Sequence, residues 1–182
     1  MALGATKTAW TAGRLYKMRM RCLALVKESL SEVRCLSGVD GYSVEKINLR
    51  NLMESFKLKL PIHLNGEQSQ RFSVSRELDL ELDFFGNRHI SKQVLIQAII
   101  KILEKTEGPV QWAQSLPVQD GNLHVRFRVD LKPEQAWLEE MESTLSRTIR
   151  QAPLRISVSF VKQGLLLKHV VTELPKELKT AA

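Results

Sequence analysis

Residues 78–161 carry apolar and polar residues in an order that predicts alternating strands and helices. Between Leu78 and Phe84 every second residue is apolar and the residues between them are acidic, which is the period of a half-buried strand. Other stretches place apolar residues every third or fourth position, as one face of a helix does. The strands predicted in this way cover residues 78–84, 110–118, 123–129 and 154–160, and the two helices cover residues 91–107 and 133–149.

The element order βαββαβ predicts the fold class. It is typical of an α+β protein with a ferredoxin-like, split-βαβ core, in which two helices cover one face of an antiparallel sheet. Because this fold hosts many activities, it does not by itself indicate a function.

The chain before this core shows a helical pattern and then an alternating one. The helical pattern runs from Arg14 to about Leu36, and residues 55–75 alternate around Asn65-Gly66. An Asn-Gly pair between alternating apolar residues predicts a β-hairpin, because both turn positions favour a positive φ. Pro61 cannot donate a ladder hydrogen bond, so the first hairpin strand is expected at a sheet edge.

Shorter patterns complete the predicted organisation. Residues 43–53 have the spacing of a short helix, and residues 165–171 have that of a last short strand. The sequence therefore divides into a disordered leader (1–13), a helix and hairpin extension (14–75), the ferredoxin-like domain (76–171) and a polar tail (172–182).

Composition is ordinary, but charge is concentrated at the N-terminus. A hydrophobic fraction of 43%, a charged fraction of 26% and the absence of an apolar run of about 18 residues are typical of a soluble protein without a membrane span. The net charge is +7; six basic residues precede Glu28, which leaves 21 basic against 20 acidic residues for the rest. The residues expected to contact a partner protein or nucleic acid are Arg14, Lys17, Arg19 and Arg21.

The basic segment has two further interpretations. It has features of a mitochondrial targeting segment, or it forms a solvated helix face. We therefore expect a cytoplasmic protein, with the mitochondrial matrix as the alternative.

Motifs for self-contained catalysis are missing from the sequence. The four histidines and two cysteines have no metal-ligand spacing, and Asp79, Glu81 and Asp83 are interpreted as the solvent side of a strand. The sequence lacks both a Gly-x-Ser-x-Gly elbow and a glycine-rich phosphate loop. Phe127, in the only segment that approaches an RNA-stacking strand, is predicted to be core. We therefore expect no metal, no cofactor bound by the chain alone and no self-contained enzyme.

Residues 76–171 resemble the small C-terminal domain of adenylate-forming enzymes of the phenylacetate-CoA ligase and capsule-biosynthesis ligase branch. The segment Arg76-Glu77-Leu78-Asp79 is similar to the hinge of that family, and Lys168 falls where its closing lysine stands. Ser75 and Leu167 replace the glycines that usually precede the hinge arginine and the lysine, and the large nucleotide-binding domain is absent from the sequence.

The resemblance implies an accessory domain that depends on a partner and is inactive alone. It implies a catalytic role for Lys168 at the acyl-adenylate, a hinge at Arg76 and Asp79, and use of ATP only together with a partner domain. A lysine suits that role because its ammonium can neutralise carboxylate and phosphate oxygens.

The alternative function is a small basic binding or assembly protein. It would be a subunit of a larger complex or of a ribonucleoprotein, and would contact its partner through the basic N-terminal helix. Both functions require another protein chain as the partner.

Overall fold

The computed structural model describes residues 3–36, 43–118, 121–149, 152–161 and 164–172. They form a mixed α+β protein, as the sequence predicts. The helices are α1 Leu3–Leu36, α2 Leu49–His63, α3 Gly66–Arg71, α4 Arg88–Lys105 and α5 Gln135–Thr148; the strands are β1 Glu45–Asn48, β2 Phe72–Val74, β3 Asp83–Gly86, β4 Val110–Val118, β5 Asn122–Val129, β6 Leu154–Val161 and β7 Gly164–Val171.

The main sheet has the strand order β2-β4-β5-β7-β6, and β1 and β3 form a separate two-stranded sheet. Strand β2 is parallel to β4, and the other neighbours are antiparallel. Strand β5 alternates strictly, with Leu123, Val125, Phe127 and Val129 buried in the core cluster. Helices α2, α4 and α5 complete this core, so one face of the sheet is apolar and the other is polar. The prediction that Phe127 is a core residue is confirmed.

The predicted ferredoxin-like sheet order is wrong. The alternating run 78–84 does not join the main sheet, because its last two residues belong to β3, which pairs with β1 instead. The carbonyl oxygens of Leu80 and Leu82 accept hydrogen bonds from Arg50 N (3.0 Å) and Leu49 N (2.8 Å) in the first turn of α2. Leu78, Leu82 and Phe84 are buried and Leu80 is partly buried, so the apolar positions of the run still face the core.

The predicted hairpin at 55–75 is also wrong. Residues 49–63 form α2, and Leu52, Phe56 and Leu60 recur at four-residue steps on its buried side. Asn65 is the N-cap of α3 instead of a turn residue: its Oδ1 accepts from Gln68 N (2.8 Å), and Asn65 N donates to Gln68 Oε1 (3.2 Å). Pro61 lies inside α2 rather than in an edge strand.

The predicted short helix at 43–53 covers two elements, since β1 occupies 45–48 and α2 begins at Leu49. Helix α4 begins at Arg88, three residues before the predicted range, because Asn87 is the N-cap and its Oδ1 accepts from His89 N and Ile90 N. The domain divisions stay a prediction: α1 is continuous across residue 13, and the tail from 173 onward lies outside the described residues.

Candidate functional site

The polar face of the main sheet carries a row of cationic side chains. In β5 the residues between the core positions are His124, Arg126 and Arg128. Gln111 and Gln114 of β4 lie opposite the two arginines in the register. Each glutamine Oε1 accepts from its arginine, at 3.3 Å from Arg128 Nη1 and 3.4 Å from Arg126 Nη1. Cross-strand pairing therefore holds both guanidinium groups beside the β4 strand.

A depression of about 490 Å³ opens at this place, between β2, the segment that follows β2, and strands β4 and β5. We call it the arginine depression, since Arg76, Arg126 and Arg128 line it. The other polar lining residues are Ser73, Ser75, Glu77, Gln111 and Gln114. Three guanidinium groups against one carboxylate make this a site with positive charge.

The backbone explains why Arg76 reaches the rim. Strand β2 pairs with β4 through Val74, and Ser75 N then donates to Trp112 O at 2.9 Å, which extends the pairing by one bond. Ser75 Oγ accepts from Glu77 N at 3.2 Å and fixes the turn that follows. These bonds hold the segment from Ser75 to Glu77 against the edge of the depression.

The polar contacts of the three arginines are incomplete. Within the part of the chain that the structure describes, none of them forms an ion pair. The Nε atom of Arg126 is buried and has no hydrogen-bond partner among those residues. Buried donors are normally paired, so the hydrogen bonding of Arg126 among the described residues is incomplete.

The structure separates the predicted catalytic and hinge residues. Arg76 and Asp79 lie in the segment between β2 and β3, and Asp79 Oδ1 accepts from Glu81 N at 3.0 Å in that same segment. Lys168 lies on β7, opposite His124 of β5 and Ser157 of β6. Since β7 is three strand spacings from β2, Lys168 is about 14 Å away across the sheet. It therefore does not share a site with Arg76 and Asp79.

The acidic residues of the same segment are exposed, as predicted, and stabilise local structure. Glu81 pairs with Arg50, and Asp83 pairs with Lys46 at 3.2 Å. Asp83 also accepts from Asn48 Nδ2 at 2.9 Å; this hydrogen bond, followed by the Lys46 ammonium, lowers the pKa of Asp83. The described residues contain no cluster of three or more His, Cys, Asp or Glu that could hold a metal ion.

Helix α1 presents a second candidate surface. The predicted contact residues Arg14, Lys17, Arg19 and Arg21 are all exposed on it. An apolar row on the same helix is exposed as well, with between 46% and 64% of each residue's surface accessible. Its members recur at seven-residue steps in two sets, which are Tyr16, Leu23 and Leu30, and Val26 and Val33.

The helical pattern in the sequence places six residues on one face of α1, which are Leu15, Met18, Cys22, Leu25, Val26 and Leu30. In the structure Leu25 is the half-buried member; it lines a small cavity with residues of α2. Val26 and Leu30 of that face belong to the exposed apolar row instead. The seven-residue spacing in the sequence was the signal that could have identified it.

One polar pair is enclosed in the core. His169 of β7 is 2% exposed, and its Nε2 lies 3.0 Å from Ser91 Oγ of α4. Burial lowers the pKa of His169 to about 4, and Phe84 packs edge-on against the imidazole. The pair has no opening to solvent, so we assign it to the core. Burial, followed by the charge of Lys168, also lowers the pKa of His124 on the polar face.

Comparison with known proteins gives the fold. No protein-family model matches the chain, and no curated protein matches it. The structure is similar to that of the histidine kinase AdeS from Acinetobacter baumannii, with a TM-score of 0.54, 13% sequence identity, and 88% of this chain and 85% of that chain covered. It is also similar to the histidine kinase ThkA, solved in complex with the response regulator protein TrrA.

For ThkA the TM-score is 0.51 and the sequence identity is 17%. The match covers 87% of this chain and 48% of that one, so this chain spans about half of the kinase. At such identities the likeness shows a common fold. No helix among the described residues is long and apolar enough to cross a membrane.

These neighbours overturn the family resemblance drawn from the sequence. The solved structures that share the fold are histidine kinases rather than adenylate-forming ligases, so the accessory ligase domain is wrong. The catalytic role of Lys168 and the hinge roles of Arg76 and Asp79 followed from that resemblance and lose their basis. The alternative, a basic assembly or ribonucleoprotein subunit, is contradicted by the same fold.

Proposed function

We propose that this chain is a protein-binding module with a histidine kinase fold, and that its partner is a signalling protein of the response-regulator class. The observation that carries the proposal is the fold shared with ThkA, a kinase solved in complex with a response regulator. The shared portion is longer than residues 37–182, so it includes part of α1. The proposed place of action is the cytoplasm.

The apolar row of α1 is the proposed docking surface. From Tyr16 to Val33 it extends over about 26 Å of helix, at 1.5 Å per residue. Contiguous exposed apolar side chains of this extent are typical of protein interaction sites. A seven-residue repeat keeps such a row aligned with a second helix along its length, so the partner is expected to present a helix.

The test is photo-crosslinking in the organism's own cells. A photoreactive phenylalanine analogue replaces Leu23 or Leu30 in the row, and matched variants carry it at Lys17 or Arg21, which point away from the row at helical spacing. We expect crosslinks from the row positions to a chain that mass spectrometry identifies as a response regulator. The proposal would be overturned if the row positions crosslinked only to a second copy of this chain or to another class of protein. It would also be overturned if crosslinks formed only from Lys17 and Arg21, or if none formed.

Affinity measurements with the captured regulator then locate the surface. Leu23→Ala combined with Leu30→Ala should weaken binding at least tenfold, about 1.4 kcal/mol, because truncated apolar anchors dominate interface energy. Lys17→Ala combined with Arg21→Ala is the matched control on the same helix. Equal losses in the two double variants would contradict docking through the row.

Use of ATP together with a partner domain stays a prediction. It would be examined by titrating a fluorescent ATP analogue into the chain alone and into the complex with the regulator. Binding by the chain alone would contradict the expectation that it holds no cofactor by itself.

A further inference from the structure

We propose that the arginine depression binds a small doubly charged oxyanion, of the phosphate or dicarboxylate class. The proposal is separate from the docking surface, since β2, the segment after it, β4 and β5 supply the lining residues and α1 supplies none.

The described residues do not neutralise the charge of the depression. Arg76, Arg126 and Arg128 line a space in which Glu77 is the single carboxylate among the described lining residues. No ion pair of these arginines exists within the described ranges. Lys168 lies on the same face of the sheet and adds to the positive potential. An anion is therefore the ligand that the electrostatics favour.

The donors of the arginines are positioned but only partly used. Gln114 and Gln111 each accept from one Nη1 of Arg126 and Arg128, which fixes the guanidinium groups at modest cost. A guanidinium has five N–H donors in a planar fork, so most of them stay available for a carboxylate or phosphate. Arg126 Nε is buried and has no hydrogen-bond partner among the described residues, so this guanidinium makes only part of its possible hydrogen bonds.

Strand geometry suits a ligand with two oxyanion ends or one tetrahedral group. Arg126 and Arg128 are two residues apart on one face of β5, about 7 Å along the strand. Arg76 approaches from the segment that follows the edge strand β2. Ser75 Oγ accepts from Glu77 N, which leaves its own proton for a ligand oxygen. A volume of about 490 Å³ accommodates a small metabolite.

Calorimetric titration of the purified chain tests the site, with inorganic phosphate and succinate as probes and sodium chloride at matched ionic strength as the reference. We expect saturable binding of phosphate, succinate or both, and none of chloride. Binding of phosphate alone assigns phosphorylated ligands, and binding of succinate alone assigns dicarboxylates. Failure of both probes to bind above the chloride reference would overturn the proposal.

Variants locate the binding. Arg128 is exposed, so Arg128→Gln should fold normally, and it should lower the affinity for the probe at least tenfold. Arg126→Lys and Arg76→Gln should also lower the affinity for the probe. Arg155→Gln is the matched control, since Arg155 is exposed on β6 at the far edge of the sheet and loses the same charge. An equal loss in Arg155→Gln, or no loss in Arg128→Gln, would show that the sheet attracts anions without a site. Substitutions at Leu23 and Leu30 should leave probe affinity unchanged, which separates this test from that of the docking surface.

Discussion

The buried pair of His169 and Ser91 predicts how stability depends on pH. The folded-state pKa of His169 is about 4, whereas an unperturbed histidine titrates near 6.5. Between these values the unfolded chain binds a proton that the folded chain excludes. The free energy of unfolding is therefore unaffected by this group above pH 6.5, and it falls as the pH decreases from 6.5 to 4.

The size of the effect follows from the pKa difference. The full pKa shift lowers the free energy of unfolding by about 3 kcal/mol, and this loss is reached near pH 4. At pH 5 the loss attributable to His169 is about 2 kcal/mol, because most of the unfolded population is protonated there and little of the folded population is. This is a large share of the stability of a small domain.

Urea unfolding at pH 7.5 and pH 5.0 would measure this pH-dependent loss of unfolding free energy, for the natural chain and for His169→Gln. Glutamine can keep a hydrogen bond to Ser91 Oγ but does not titrate. We expect the natural chain to lose about 2 kcal/mol more than the variant between the two pH values. The other three histidines are present in both proteins, so their contribution cancels. Equal pH dependence in the two proteins would refute an excluded proton at His169.

Two stability predictions test the fold itself. Leu60 is 6% exposed and Leu58 is 45% exposed on α2. Leu60→Ala should cost about 2–5 kcal/mol in urea unfolding and Leu58→Ala under about 1 kcal/mol; equal costs would favour the rejected hairpin, in which both share one face. Gly121 has φ +73°, and a Cβ there would lie 2.1 Å from Phe85 Cδ2. Gly121→Ala should therefore cost about 1–3 kcal/mol, whereas Gly66→Ala, which meets nothing within 4 Å, is the control; similar costs would contradict this packing.

The elements with unambiguous local patterns were predictable from sequence. Helices α4 and α5 and strands β4, β5, β6 and β7 all appear close to the predicted ranges, because each has one period and a clear end. Residues 55–64 have apolar residues compatible with both periods, and Asn65-Gly66 favoured the hairpin. Burial of Phe56 against Phe72 and Trp112, whose rings lie 6.2 Å and 5.6 Å away, stabilises the helix instead. That contact is long-range and leaves no trace in local periodicity.

The order of strands was not predictable for the same reason. The sequence placed residues 165–171 after the core, yet β7 lies between β5 and β6. Its side chains Leu165 and Leu167 are fully buried. Alternation predicts which face of a strand is buried, but it does not predict which strand lies beside it in the sheet. Only the register of distant segments gives that information.

The candidate sites depend on these long-range contacts in different degrees. Arg76 drew attention in the sequence through an incorrect family resemblance, whereas Arg126 was not a candidate and only its neighbour Phe127 was considered for RNA stacking. What makes them one site is the register that sets Gln114 opposite Arg126 and the parallel pairing of β2 with β4. The apolar row of α1 needs no such contact. The helical pattern in the sequence already included Val26 and Leu30, but the basic residues of that helix drew the functional interpretation toward charge.

The separation of the two surfaces allows each to be tested without disturbing the other. The arginine depression is formed by residues of the sheet and its adjoining segment, which are held by backbone hydrogen bonds from Ser75 to Trp112 and by the paired strands β4 and β5. The apolar row belongs to α1, whose exposed side chains contribute little to the core. Substitutions in the row are therefore expected to alter partner binding at constant stability. Loss of the arginines should instead alter anion binding while leaving the core, and with it the pH response of His169, unchanged.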